Sequence, residues 1–246
     1  MGLGLGFALG VKGLGGVLSS RFKTSSRVGA FDMATPPAKH PHADLYVRLM
    51  TQLKVRIKII QDTFQLIREG KHYAGPVGAA EFVLLQLRYC CELIAIGCIA
   101  VHTDVPRTAK LQKMWNAGRI MEEFKPLKSS YFPLPAKDVV KPGAYPEIVS
   151  RPDEHLSKEE LLKMYNHFGD LLHAGSFKDH LDKKKRVENI NTLIEFTNRI
   201  MALLNVHVYL LYEQARLIRV IMQEAKTGRV GWNEFERMEG KPPARE

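Results

Sequence analysis

Residues 82–101, FVLLQLRYCCELIAIGCIAV, are apolar almost without a break, and this run constrains the fold more than any other stretch. A helix that is apolar on every side has to sit at the centre of a packed structure, with other elements laid around it. Pro76 suits a first helical turn, where its missing N–H costs nothing, so a helix is predicted from about Pro76 to Val101. Arg88 and Glu92 interrupt its buried surface, and their four-residue spacing lets them pair. Cys90, Cys91 and Cys98 fall in the same run. Three cysteines on one predicted helix are no disulfide framework, and they read as buried thiols in a reducing compartment.

Several segments can supply the surrounding helices. Tyr46, Leu49, Leu53, Ile57, Ile60, Phe64 and Ile67 recur in steps of three and four, which places them on one helical stripe. Asp44 is the expected N-cap and Gly70 the expected C-terminal stop. A third helix is predicted over about Thr108 to Phe124. Ser157-Lys-Glu-Glu160 has the form of a capping box, opening a helix whose apolar face is Leu161, Tyr165, Phe168 and Leu172. From Val187 through Ile194, Met201, Val208 and Ile218 to Met222 the same three-four spacing continues. That pattern predicts one helix over 187–226, roughly 60 Å long, too long for the bundle unless it kinks or projects. No strand-like alternation of useful length is read. The expected fold is therefore all-α, an up-and-down bundle of four to five helices with one long C-terminal helix and a proline-rich excursion.

Residues 1–43 read as a flexible N-terminal segment, 44–228 as the helical bundle domain and 229–246 as a loosely docked tail. Within the bundle, 125–156 carries Pro126, Pro133, Pro135, Pro142, Pro146 and Pro152, a density that forbids a helix and predicts a surface loop. Lys12, Arg21, Lys23 and Arg27 all precede the first acid, Asp32. Such a start is transit-like, or else translation begins at Met33. No apolar run approaches the ~20 residues needed to span a bilayer without interruption by charge, so no membrane association and a cytoplasmic location are expected. The net charge of +10 is compatible with a polyanionic partner such as RNA.

No P-loop, dinucleotide fingerprint, HExxH or GxSxG stands in the chain. His167 and His173 lie six apart, about 240° round a helix, and cannot share an ion. His40 and His42 fall in the linker, and His207 flanks the apolar face of the predicted long helix. No metal and no cofactor are expected. The segment MYNHFGDLLHAGSF (164–177), following a helix that bears LRYCCE (87–92), resembles the HEPN superfamily of small helical bundles. Many HEPN proteins carry Arg-x-x-x-Glu on the second helix and a Tyr…His segment closing a later one. The resemblance implies a metal-independent ribonuclease, working as a dimer with a composite cleft. By that resemblance His173, Arg88 and Glu92 are the candidate catalytic residues, with Tyr165 and Asp170 as candidate binding residues. The family's Arg-x(4–6)-His motif does not stand around His173. Two functions are carried forward. One is an RNA-binding or RNA-cleaving protein. The other is a non-enzymatic scaffold, homodimeric through 187–226 and offering its proline-rich loop to a protein partner.

Overall fold

The two longest helices set the frame. α1 (Ala43–Arg68) ends where the backbone of Gly70 turns left-handed at φ +65°, a conformation that costs glycine little. The chain then reverses into α2 (Gly75–Val101), with Pro76 in its first turn. A computed structural model describes residues 31–32, 40–72, 74–106, 109–128, 130–139, 147–150, 155–173, 189–212 and 216–237. The further helices among them are α3 (Ala109–Gln112), α4 (Ala117–Phe124), α5 (Lys158–Leu172) and α6 (Ile190–Leu204).

α2 occupies the centre, packed by α1, α4, α5 and α6. Its buried Leu84, Leu87, Cys91 and Ile94 meet Tyr46, Leu53 and Ile60 of α1, Phe168 of α5 and Ile200 of α6 in one core. Phe168 and Phe196 lock α5 to α6 edge to face, with ring centroids 5.1 Å apart. Each fully buried side chain of this size contributes about 1.5–3 kcal/mol. Cys90, Cys91 and Cys98 are free thiols inside it. By length and composition alone α2, even with Arg88 and Glu92 inside it, could also cross a membrane. In this fold its apolar surface is covered mainly by protein.

The all-α expectation is overturned. Besides the helices, the described residues build a six-stranded sheet, making the chain a mixed α and β protein. The strands are β1 (Phe31–Asp32), β2 (Leu134–Val139), β3 (Glu147–Ser150), β4 (Val206–Leu211), β5 (Arg216–Ile221) and β6 (Gly231–Arg237). Their spatial order is β1-β6-β5-β4-β2-β3, every pair antiparallel. The predicted 40-residue helix stops at Leu204, with Asn205 as its C-cap, and Val206–Leu211 and Arg216–Ile221 within it pair as the antiparallel strands β4 and β5. The amide of Met222 closes the base of that pair on the carbonyl of Asn205 at 2.9 Å. The reason is composition: Val206–Leu211 and Arg216–Ile221 are so densely apolar and β-branched that they satisfy the helical and the two-residue period together. Pairing partners decide between the two. A long helical stripe is therefore not available for dimerisation.

Three further corrections follow from the sheet. The proline-rich 125–156 segment supplies β2 and β3, and Pro135 faces His207 in the β2–β4 register. The tail supplies β6, inside the sheet, and residues 31–32 of the N-terminal segment add β1 at its edge. The helix expected over 108–124 is broken, and Asn116 caps its second half by accepting from the Arg119 amide. The charged segment KDHLDKKKR (178–186), whose sequence suggests a turn into the predicted long helix, lies outside the described residues.

The capping box of α5 forms as its sequence predicts: the Glu160 amide donates to Ser157 Oγ at 3.2 Å, and the Ser157 amide donates to Glu160 Oε2 at 2.9 Å. Glu160 also takes a hydrogen bond from Arg199 of α6. The Arg199 guanidinium and the Ser157 amide hold the Glu160 carboxyl down at about 2. Ser157→Ala is expected to cost about 1 kcal/mol. For a domain of this size that is a drop of about 2–4 °C in melting temperature, read by calorimetry.

Candidate functional site

The side chains singled out in the sequence lie where α2 and α5 cross. Arg88 and Glu92 sit one turn apart on α2, with Nε and Oε1 3.7 Å apart. Tyr165 of α5 closes a triangle with them. Arg88 Nη2 donates to the Tyr165 hydroxyl at 3.1 Å, and that hydroxyl donates to Glu92 Oε1 at 3.1 Å. The guanidinium also stacks 4.3 Å from the centre of the Tyr165 ring. Gly169, one turn further along α5, makes room for it: a Cβ there would stand 2.1 Å from Arg88 Nη1. Burial pushes the Glu92 carboxyl up, against the Tyr165 hydroxyl and the Arg88 charge, and burial raises Tyr165 to about 12.

Of the five candidates, the structure joins three. Arg88, Glu92 and Tyr165 satisfy one another, largely out of solvent. His173 is the C-cap of α5 and is exposed. It stands eight residues from Tyr165, about 12 Å along the helix axis. Asp170 is exposed on α5. A phosphate reaching this place would have to take Arg88 from both its carboxylate and its ring. Chemically the triangle is a clamp between two helices, with no imidazole in it.

A second constellation went unseen in the sequence. Leu204 and the imidazole of His207 define its tautomer: Nδ1–H donates to the Leu204 carbonyl at 2.8 Å. Nε2 is thereby left to accept from the Tyr46 hydroxyl at 2.6 Å, and the Tyr209 hydroxyl lies 3.1 Å from that of Tyr46. The Cys98 thiol stands beside Tyr209. All four side chains are sealed in the core, joining α1, α2 and β4. Burial brings His207 down to about 4, raises both tyrosines and pushes Cys98 up to about 12. At neutral pH the whole line is uncharged, so it locks elements together and presents no activated nucleophile.

The line continues through rings. His102, at the end of α2, packs edge-on to Tyr209 and donates Nε2–H to the Tyr131 carbonyl at 2.9 Å. Its Nδ1 faces Asp104 Oδ1 at 3.5 Å. Burial opposes ionisation of Asp104, but His102, Lys128 and the Tyr212 amide together hold its carboxyl well below the usual range. His40, set aside with His42 as a linker residue, is buried as well, with Nε2–H on the Val101 carbonyl at 2.8 Å. An open cleft beside them is lined by Pro41, His42, Thr103 and Asp104. No local spacing announces this set, because its members come from the segment before α1, from α1, from α2 and its following loop, and from β4.

The third feature is a surface. Phe82, Leu85 and Tyr89 each leave 37–40% of their area exposed on the central helix. Their spacing of three and four puts them in one row. Arg56 of α1 lies 4.2 Å from the centre of the Tyr89 ring and donates to Gln86 Oε1 at 2.8 Å, marking the flank where the two helices meet. On α1, Val55, Ile59 and Leu66 sit four and seven residues apart, with Val55 at 55% and Leu66 at 41% exposure and Ile59 half-buried. Both helices of the α1–α2 hairpin thus present apolar side chains to solvent, the kind of exposure that marks interaction sites. No protein-family model, curated protein or solved structure matches the chain.

Proposed function

We propose that the protein is a non-enzymatic scaffold that works by binding protein through the apolar face of the α1–α2 hairpin. The observation that carries this reading is the row Phe82, Leu85 and Tyr89, held open to solvent on the central helix of the fold. Leaving such side chains in water forgoes about 25 cal/mol for each Å² that could be buried, which a partner recovers. The RNA-cleaving reading needs Arg88, Glu92 and His173 to converge in an open basic cleft. Arg88 and Glu92 are instead engaged by Tyr165, and His173 caps α5 in solvent.

The test is a photoreactive amino acid placed at Leu85 in cells expressing the chain, with the exposed Gln65 as the control position. A covalent adduct of defined mass from position 85, absent from 65, is the expected result. Equal or absent labelling at both positions would sink the reading. So would cleavage of a mixed RNA pool in EDTA that disappears in the His173→Ala variant.

A further inference from the structure

We infer that Trp232, Tyr46 and His207 form a one-electron redox site, where a strong one-electron oxidant acting at Trp232 leaves a neutral tyrosyl radical on Tyr46. The inference concerns the buried line between α1, β4 and β6, and goes beyond the scaffold reading.

An aromatic side chain gives up an electron inside a protein when two demands are met. Its ring needs a redox partner close by, and its acidic proton needs a base within hydrogen-bond reach, about 2.6–3.2 Å. Trp232 and Tyr46 meet both. Their ring centroids lie 5.5 Å apart. Trp232 Nε1–H donates to Glu234 Oε1 at 2.8 Å. The Tyr46 hydroxyl donates to His207 Nε2 at 2.6 Å, a direction set by His207 Nδ1–H, which is committed to the Leu204 carbonyl. Indole and phenol are thus each paired with a proton acceptor of their own, a carboxylate and a neutral imidazole. Tyr209 also packs on Tyr46, with centroids 5.7 Å apart. Its hydroxyl, however, meets the Tyr46 hydroxyl and the Cys98 thiol, neither of them a base at neutral pH. Burial separates the two ends of the site. Trp232 on β6 is half-buried, whereas Tyr46 and His207 are sealed in the core. An oxidant in solvent can meet the indole but not the phenol.

The oxidant takes one electron from the indole, and the Nε1 proton shifts to Glu234 Oε1, leaving a neutral indolyl radical. Tyr46 gives that radical an electron, and the proton returns from Glu234 to Nε1. The Tyr46 O–H bond breaks in the same step, and its proton passes to His207 Nε2. An oxidised phenol is a strong acid, so even an imidazole brought down to about 4 by burial takes this proton. The Tyr209 hydroxyl, 3.1 Å away, can donate to the phenoxyl oxygen. One electron has then left the chain and reduced the oxidant. Trp232 and Glu234 are restored, and the products are the Tyr46 radical and a His207 imidazolium. A phenol that can shed its proton is a better one-electron donor at neutral pH than an indole, so the oxidising equivalent moves inward.

The test uses the purified full chain with photogenerated ruthenium(III) tris-bipyridine as oxidant. Samples are frozen after a delay in which exposed phenoxyl radicals couple and vanish, and are read by electron paramagnetic resonance. Wild type is expected to give a long-lived tyrosyl signal, whose lineshape changes when the protein carries ring-deuterated tyrosine. Tyr46→Phe is expected to lose that signal, and Trp232→Phe to lose it too, because the oxidant no longer has a route inward. His207→Gln keeps both hydrogen bonds but removes the base, and is expected to slow radical formation about 100-fold by transient absorption. Trp115→Phe, at an exposed tryptophan, is the control and is expected to leave signal and rate unchanged. Melting transitions report folding, and Trp232→Phe and His207→Gln decide the outcome if Tyr46→Phe does not fold. Absence of the long-lived signal in wild type overturns the inference, as does an undiminished signal in folded Trp232→Phe or Tyr46→Phe. Equal rates in wild type and folded His207→Gln overturn it as well, because an imidazole that only holds the core together would leave the rate unmoved.

Discussion

Urea unfolding of the protein is expected to lose about 3 kcal/mol of stability between pH 6.5 and pH 4 through His207 alone. Burial brings this imidazole down to about 4 in the folded chain, against about 6.5 once unfolded. Between those values the unfolded chain carries a proton that the native chain does not, so stability rises with pH across the window. Below it both states are protonated and the dependence ends. The difference is about 2.5 pH units at about 1.4 kcal/mol each, and full burial leaves no solvent screening to discount. Glu160 acts in a separate window, its contribution present above about 4.5 and lost as pH falls toward its folded value of about 2. Glu92, raised by burial, works in the opposite direction. The His207→Gln variant isolates the histidine. Its amide can donate to the Leu204 carbonyl and accept from Tyr46, but it takes up no proton in this range. Comparing urea midpoints at pH 7, 5.5 and 4, the variant is expected to show a much flatter dependence than wild type. Parallel curves would mean that the Tyr46–His207 lock does not hold a neutral imidazole.

Gly169→Ala is expected to destabilise the protein by about 2 kcal/mol, a fall of about 4–8 °C in melting temperature for a domain of this size. The added Cβ would stand 2.1 Å from Arg88 Nη1, so one of them has to move. Arg88 is flexible at its tip, but it can withdraw only by leaving the Tyr165 hydroxyl and ring and loosening its pair with Glu92. The decisive comparison is the same substitution in an Arg88→Ala background. There the obstruction is gone, and replacing a helical glycine by alanine is worth up to about 1 kcal/mol in the other direction. The sign of the Gly169→Ala effect is therefore expected to reverse between backgrounds. Equal costs in both would show that Gly169 is not there to admit the guanidinium.

Local rules were sufficient wherever a single element carried its own signal. The stripe from Tyr46 to Ile67 with Gly70 after it, the apolar run of α2, and the Ser157–Glu160 box each specify a helix through contacts within a turn or two. The Arg88–Glu92 pairing was readable for the same reason, because four residues on a helix is one turn. The sequence also pointed to Tyr165 and His173 together, and here it reached its limit. Tyr165 joins the pair, whereas His173 lies two further turns along the same helix.

What the sequence by itself determined is α1, α2 and α5 and the identity of the charged pair set into α2. Only the tertiary structure decided that residues 206–211 and 216–221 are strands. Their apolar density satisfies both periods, and the hydrogen bonds that choose between them come from each other, from β2 and from β6. The same is true of the buried line from Cys98 through Tyr209 and Tyr46 to His207. Tyr46 and His207 are 161 residues apart, and a bond between two side chains so far apart leaves no trace in the spacing around either. Local periodicity records which face of an element is buried, and the partner on that face is chosen by the rest of the chain.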